Sequence, residues 1–149
     1  MKTPVDSKGY VRQVLNNNRF AVLATVNNNK PHACLIAVTV TDDLLQLLFA
    51  TYKNTSKYTN LTQNENVCIL FENRNDKKNS KQEITVLTAF GKAIEIKTEH
   101  SDALNTQLLR HPELNTFLSS SNCAFFRVNV DAYQLVLGVD EIYWWKINS

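Results

Sequence analysis

Residues Cys123 to Gly138 carry the cleanest alternation in the chain, and it constrains the fold more than any other feature. Ala124, Phe126, Val128 and Val130 fall on one side, and Phe125, Arg127, Asn129 and Asp131 on the other. A period of two is the mark of a strand with one face against a core. The pattern runs on through Tyr133, Leu135 and Leu137 to Gly138, as one strand or a pair. Asp140-Glu141 then makes a turn and Ile142 to Ile147 a last strand.

The rest of the chain supplies the partners. Only 3 Gly and 3 Pro occur in 149 residues, so Asn and Asp carry the turns. Gly9 to Asn18 reads as a short helix stopped by Asn16-Asn17-Asn18. A three-strand meander follows, from Phe20–Val26, Ala33–Val40 and Leu44–Ala50, with turns at 27–31 and Asp42-Asp43. Asn54 or Thr55 caps a helix reaching about Asn64, with Tyr58, Leu61 and Thr62 on one face. Val67 to Phe71 is a fourth strand, and Ile84 to Lys97 a long one in which Gly91 marks a bulge or a close backbone approach. Glu99 to Arg110 and a segment opened by Pro112 read as helices. Six or seven strands, mostly joined by hairpins, with three or four helices, predict a mainly β domain. An antiparallel barrel with peripheral helices fits better than a doubly wound sheet.

Length suits one domain over 1–149. A net charge of +2 is too balanced for a dedicated nucleic-acid binder. Lys77, Lys78 and Lys81 sit in a polar loop with no interleaved aromatics, which reads as a solvated loop. No apolar run approaches the ~20 residues of a membrane helix, and the N-terminal residues lack a signal-peptide core. Cys34, Cys68 and Cys123 are odd in number, widely spaced and set in apolar runs. They read as buried free thiols in a reducing compartment, so cytoplasm is the expected location. His32, His100 and His111 have no metal-ligand spacing, and His111 reads as a loop residue. No metal is expected.

One segment combines chemistry-bearing residues: Ala50-Thr51-Tyr52-Lys53-Asn54-Thr55-Ser56-Lys57-Tyr58. Here a buried strand hands over to a helix. Free N–H groups at a helix start favour an anion, and hydroxyls plus a lysine strengthen the preference. Plain helix capping by Thr55 or Ser56 is the competing reading.

The order of these pieces resembles the flavin-binding split-barrel family named for pyridoxamine phosphate oxidase. The resemblance rests on Phe20–Thr25, Lys30-Pro31-His32, Ala33–Val38, Phe49-Ala50-Thr51, Asn54–Tyr58 with Leu61 and Asn64, Val67–Phe71, Gly91-Lys92-Ala93, Cys123–Val130 and Tyr133–Gly138. It covers about residues 10–139 and implies a six- to seven-stranded antiparallel split β-barrel. It also implies a homodimer with FMN in two clefts at the interface. By resemblance, Thr51, Ser56 and Lys57 contact the phosphate. Cys34, Leu35, Ile36 and Ala37 run under the isoalloxazine ring, and Tyr52 borders the pocket. Trp144 and Trp145 face opposite sides of a strand, so one is a candidate flavin cover and the other a barrel packer; an aromatic lid over the barrel's end or the dimer seam is the competing reading.

The chain departs from the family at three basic positions, where Cys34, Thr39 and Ser56 stand, leaving Lys57 as the main cation. The oxidase's arginine-bearing C-terminal segment is also missing. The expectation is therefore an FMN-dependent oxidoreductase with a small substrate, not vitamin B6 oxidation itself. No side chain declares itself as a general acid or base. The alternatives are a non-catalytic module binding flavin, haem or a deazaflavin, and a cofactor-free scaffold.

Overall fold

The computed structural model describes residues 6–74, 84–97, 100–138 and 140–147. The lysine cluster at 77–81 lies outside the described residues. Seven strands form one antiparallel sheet: β1 (Phe20–Asn27), β2 (Lys30–Val40), β3 (Gln46–Tyr52), β4 (Asn66–Arg74), β5 (Ile84–Ile96), β6 (Cys123–Leu137) and β7 (Glu141–Lys146). Their order is β3-β2-β1-β4-β5-β6-β7, and β3 also pairs with β6. That pairing closes six strands into a barrel and leaves β7 outside, on the last residues of β6. The alternating segment that predicted one strand or two is a single 15-residue strand. It serves three neighbours: β3 with its first half, β5 along its length and β7 with its second half.

Local chemistry explains the joints. Asn28 and Asn29 both take positive φ, 52° and 62°, which is the conformation a two-residue hairpin demands. The Asp42-Asp43 turn closes through Asp43, whose carboxylate accepts from Leu45 N–H and the Thr41 hydroxyl at 3.0 and 2.6 Å. Between Phe90 and Gly91 the β5–β6 register shifts, so the bulge expected at Gly91 is present.

Two cores result. The barrel interior holds Leu23, Ile69, Leu87, Val128 and Tyr133, with Phe49 and Phe126 stacked at 5.4 Å. Helix α1 (Ser7–Asn17) is capped by Asp6 and packs Val11, Val14 and Leu15 into this core. The second core lies outside the barrel. Leu48, Ala50, Ile96, Cys123 and Phe125 pack there against Ala103 of α3 (His100–Arg110) and Leu118 of α4 (Asn115–Leu118). Phe125 therefore belongs to a buried face that the alternation alone assigned to the polar side.

His111 also differs from expectation. It is fully buried rather than a plain loop residue. Its Nε2–H donates to Val38 O at 3.0 Å, and its Nδ1 lies 3.5 Å from Arg19 Nη2. Arg19 in turn pairs with Glu113, and Arg110 donates to the carbonyls of Leu15, Asn16 and Asn18. Burial, with Arg19 and Arg110 nearby, holds the imidazole below its ordinary value of 6.5, against opposing contributions from the Val38 bond and Glu113. The unfolded chain therefore takes up this proton first, and stability falls as pH drops below about 6.5. His111→Gln should flatten the fall in melting temperature between pH 7 and pH 5. An unchanged pH slope in the variant would contradict this role.

Candidate functional site

The barrel is split beside β2. Strand β2 pairs with β1 from Lys30 to Ala37, yet β3 pairs only with Val38, Thr39 and Val40. Beyond Phe49, β3 continues along β6 instead. The Lys30–Ala37 stretch of β2 thus has an edge that β3 does not occupy. Val38 N–H donates to Arg19 O on the β1 side. Alternation then turns the backbone groups of Leu35 and Ala37 away from β1, toward the open edge.

Side chains sort the same way. Ile36 is buried, and Cys34 packs half-buried against the barrel core with its thiol directed at Leu23 O, 3.8 Å away. Leu35 points outward and is 65% exposed. Of the four β2 residues expected under a flat ring, Leu35 and Ala37 present side chains to the outer face. Ile36 has only backbone to offer there.

The junction between β3 and the helix that follows it lies across from this edge. Helix α2 (Ser56–Gln63) begins after Thr55, whose hydroxyl accepts from Tyr58 N–H at 3.2 Å. Capping is therefore real. Thr55→Ala should cost about 1 kcal/mol in chemical denaturation; no loss would remove Thr55 from that role. The same hydroxyl lies 3.2 Å from the hydroxyl of Thr51, which is 2% exposed. Thr55, not Thr51, is thus the hydroxyl nearer solvent, a point that residue type alone did not reveal. Lys57 neighbours Cys34. Burial pushes that thiol up, while the Lys57 ammonium pulls it back through charge and a hydrogen bond. Strand and helix therefore meet at this pair.

Ser56 lies one step away, on a cleft of about 260 Å³ shared with Asn27, Asn28, Lys30, His32 and Asn60. Asn60 is buried and donates from Nδ2 to Thr25 Oγ1 at 3.2 Å. It replaces Thr62, which is exposed, on the inner face expected for α2.

Tyr52 does not join this group. It packs edge-on against Phe117 of α4 at 4.8 Å, on the face of β3 opposite Thr51. Trp144 is also apart within one chain. It is 47% exposed on the outside of β7 and packs 5.7 Å from Phe90. Trp145 takes the other face and stacks on Tyr133 at 5.5 Å. Trp144 nevertheless borders an outer apolar belt. Leu35, Val22 and Leu70 align across β2, β1 and β4, and Ala33, Ala24, Cys68 and Phe90 align across β2, β1, β4 and β5.

The thiols are not uniformly buried: Cys34 and Cys68 are half-buried. Cys123 is buried, and burial raises its thiol to about 11 despite Lys53. Among the described residues no three His, Cys, Asp or Glu side chains gather to hold a metal, and no helix is long and apolar enough to cross a membrane.

A family model described as pyridoxamine 5'-phosphate oxidase matches residues 8–134. Among solved structures, the chain is similar to a heme-binding protein from Mycobacterium smegmatis. The TM-score is 0.84 at 12% identity, over 97% of this chain and 60% of that one. It is also similar to General Stress Protein 26 from Bacillus anthracis, with a TM-score of 0.74 at 20% identity over 96% and 100% of the two chains. An FAD-binding protein from Mesorhizobium loti gives 0.70 at 14% identity over 89% and 94%. At such identities the likeness establishes the fold alone. The curated proteins give no significant sequence match.

Proposed function

The chain belongs to the pyridoxamine 5'-phosphate oxidase family, and from that premise we propose that it is a homodimeric flavoprotein that binds FMN and acts as an oxidoreductase on a small substrate. The observation that carries this reading is the open β2 edge at Leu35–Ala37 beside the Lys57 end of α2. A flavin has a flat ring with a polar edge and a dianionic tail. Outward Leu35 and Ala37 suit the ring, and their free backbone groups suit its polar edge. Ser56, Lys57 and the first N–H groups of α2 suit the phosphate, while Thr55, braced by Thr51 and donating its hydroxyl to Tyr52 O at 2.9 Å, fixes the start of the helix. The residues present therefore fit the group. When bound, FMN supplies the hydride or electron transfer, while the protein orients it and restricts water.

The second copy is part of the reading. The belt containing Val22, Leu35 and Leu70 is too apolar to favour exposure in a stable protein. Pairing through it would cover the ring, and Trp144, which borders the belt beside Phe90, is the candidate cover. Tyr52 stays outside the proposed contact set because its ring packs on Phe117.

The test is the visible spectrum of the purified protein, before and after addition of FMN, followed by sedimentation. Flavin absorption that stays with a dimer supports the proposal. A colourless protein that takes up no FMN contradicts it. A haem band would favour the non-catalytic binding module instead.

A further inference from the structure

Resting on the flavin reading, we propose that the β1–β2 hairpin forms the second wall of the phosphate cradle through Lys30 and His32. A phosphate monoester carries close to two negative charges, more than the single ammonium of Lys57 balances. The cleft beside Ser56 offers further donors, because Lys30 and His32 line its opposite wall. Among the described residues no carboxylate lines it. Alternation along β2 places Lys30, His32 and Cys34 on one face, at steps of about 7 Å. Cys34 already meets Lys57, so the two preceding positions on that face are directed along the first turn of α2.

The walls are tied together. Thr25 pairs with His32 across the hairpin, and its hydroxyl accepts from Asn60 of α2. The Asn28-Asn29 turn fixes the far end of the hairpin. A cleft of about 260 Å³ accommodates a phosphate with its ribityl attachment, not a whole flavin. The ring must then lie elsewhere, which agrees with its place on the β2 edge.

The experiment compares FMN and riboflavin affinities by flavin-fluorescence titration of the full chain. Variants are Lys30→Ala, Lys30→Glu and His32→Ala, with Lys57→Ala alongside. Lys30 and His32 are exposed, so melting temperatures should hold. Lys30→Ala is expected to weaken FMN about tenfold, and Lys30→Glu more, with riboflavin unchanged. His32→Ala should act in the same direction. If Lys30→Glu and His32→Ala leave the FMN-to-riboflavin ratio intact while Lys57→Ala collapses it, the hairpin wall is overturned and the flavin reading stands. If the wild type binds neither flavin, or both equally, the reading and the hairpin wall fall together.

Discussion

Lys57→Ala is expected to weaken FMN by roughly 10- to 100-fold and leave riboflavin almost unaffected. The size follows from the loss of one charge-assisted hydrogen bond, about 1.5–3 kcal/mol. The selectivity follows from position. Lys57, in the first turn of α2, meets β2 at Cys34, whereas Leu35 and Ala37, where the ring would lie, present the opposite face of the strand. Removing the ammonium also frees the Cys34 thiol from the charge that pulls it down. The thiol of the variant should therefore titrate higher than in the wild type, which thiol-alkylation rates against pH would read. Lys57→Arg should restore much of the FMN preference, since charge and donors are retained. Equal loss of both flavins in Lys57→Ala would mean that Lys57 shapes the site and does not meet the phosphate.

Gly91→Ala is the second large effect, and it concerns stability. A Cβ at Gly91 would lie 2.2 Å from the carbonyl oxygen of Asn129 and 3.1 Å from a Val128 methyl. The first is strand backbone, paired on both sides in β6, so it has no inexpensive way to retreat. The expected cost is about 3 kcal/mol, a fall in melting temperature on the order of 10 °C. Gly138 gives the contrast. Its φ is +67°, but open space surrounds it, so Gly138→Ala meets only a conformational penalty of about 1 kcal/mol. Chemical denaturation of the two variants should rank them in that order; Gly91→Ala within 0.5 kcal/mol of wild type would contradict the close approach.

Much of the barrel was legible because its strands alternate or run apolar between Asn and Asp turns. Gly91 announced its bulge, since only a residue without a side chain tolerates such an approach. What stayed hidden depends on distance in space. The alternation around Phe125 could not tell solvent from a helix-covered second core. His111 followed a helix and preceded a proline, so its sequence context looked like a loop; only the fold brings Val38 and Arg19 to it. Likewise the Ser/Thr-rich junction invited an anion reading but could not say that Thr51 is buried behind Thr55. The split between β2 and β3 is a property of register, and no residue type encodes it. The displacement of Tyr52 toward Phe117 has the same origin: neighbouring residues on a strand face opposite ways, and α4 covers one of those faces.

On this reading the β2 edge and the start of α2 hold one flavin between two copies of the chain. The most direct measurement is a crystal structure of the protein grown with FMN. The expected structure is a two-fold dimer, with the phosphate at the N-terminal turn of α2 within hydrogen-bond reach of Ser56 and Lys57. The ring should lie along Leu35–Ala37 beneath the partner copy. A monomer, or a flavin bound away from this junction, would contradict it.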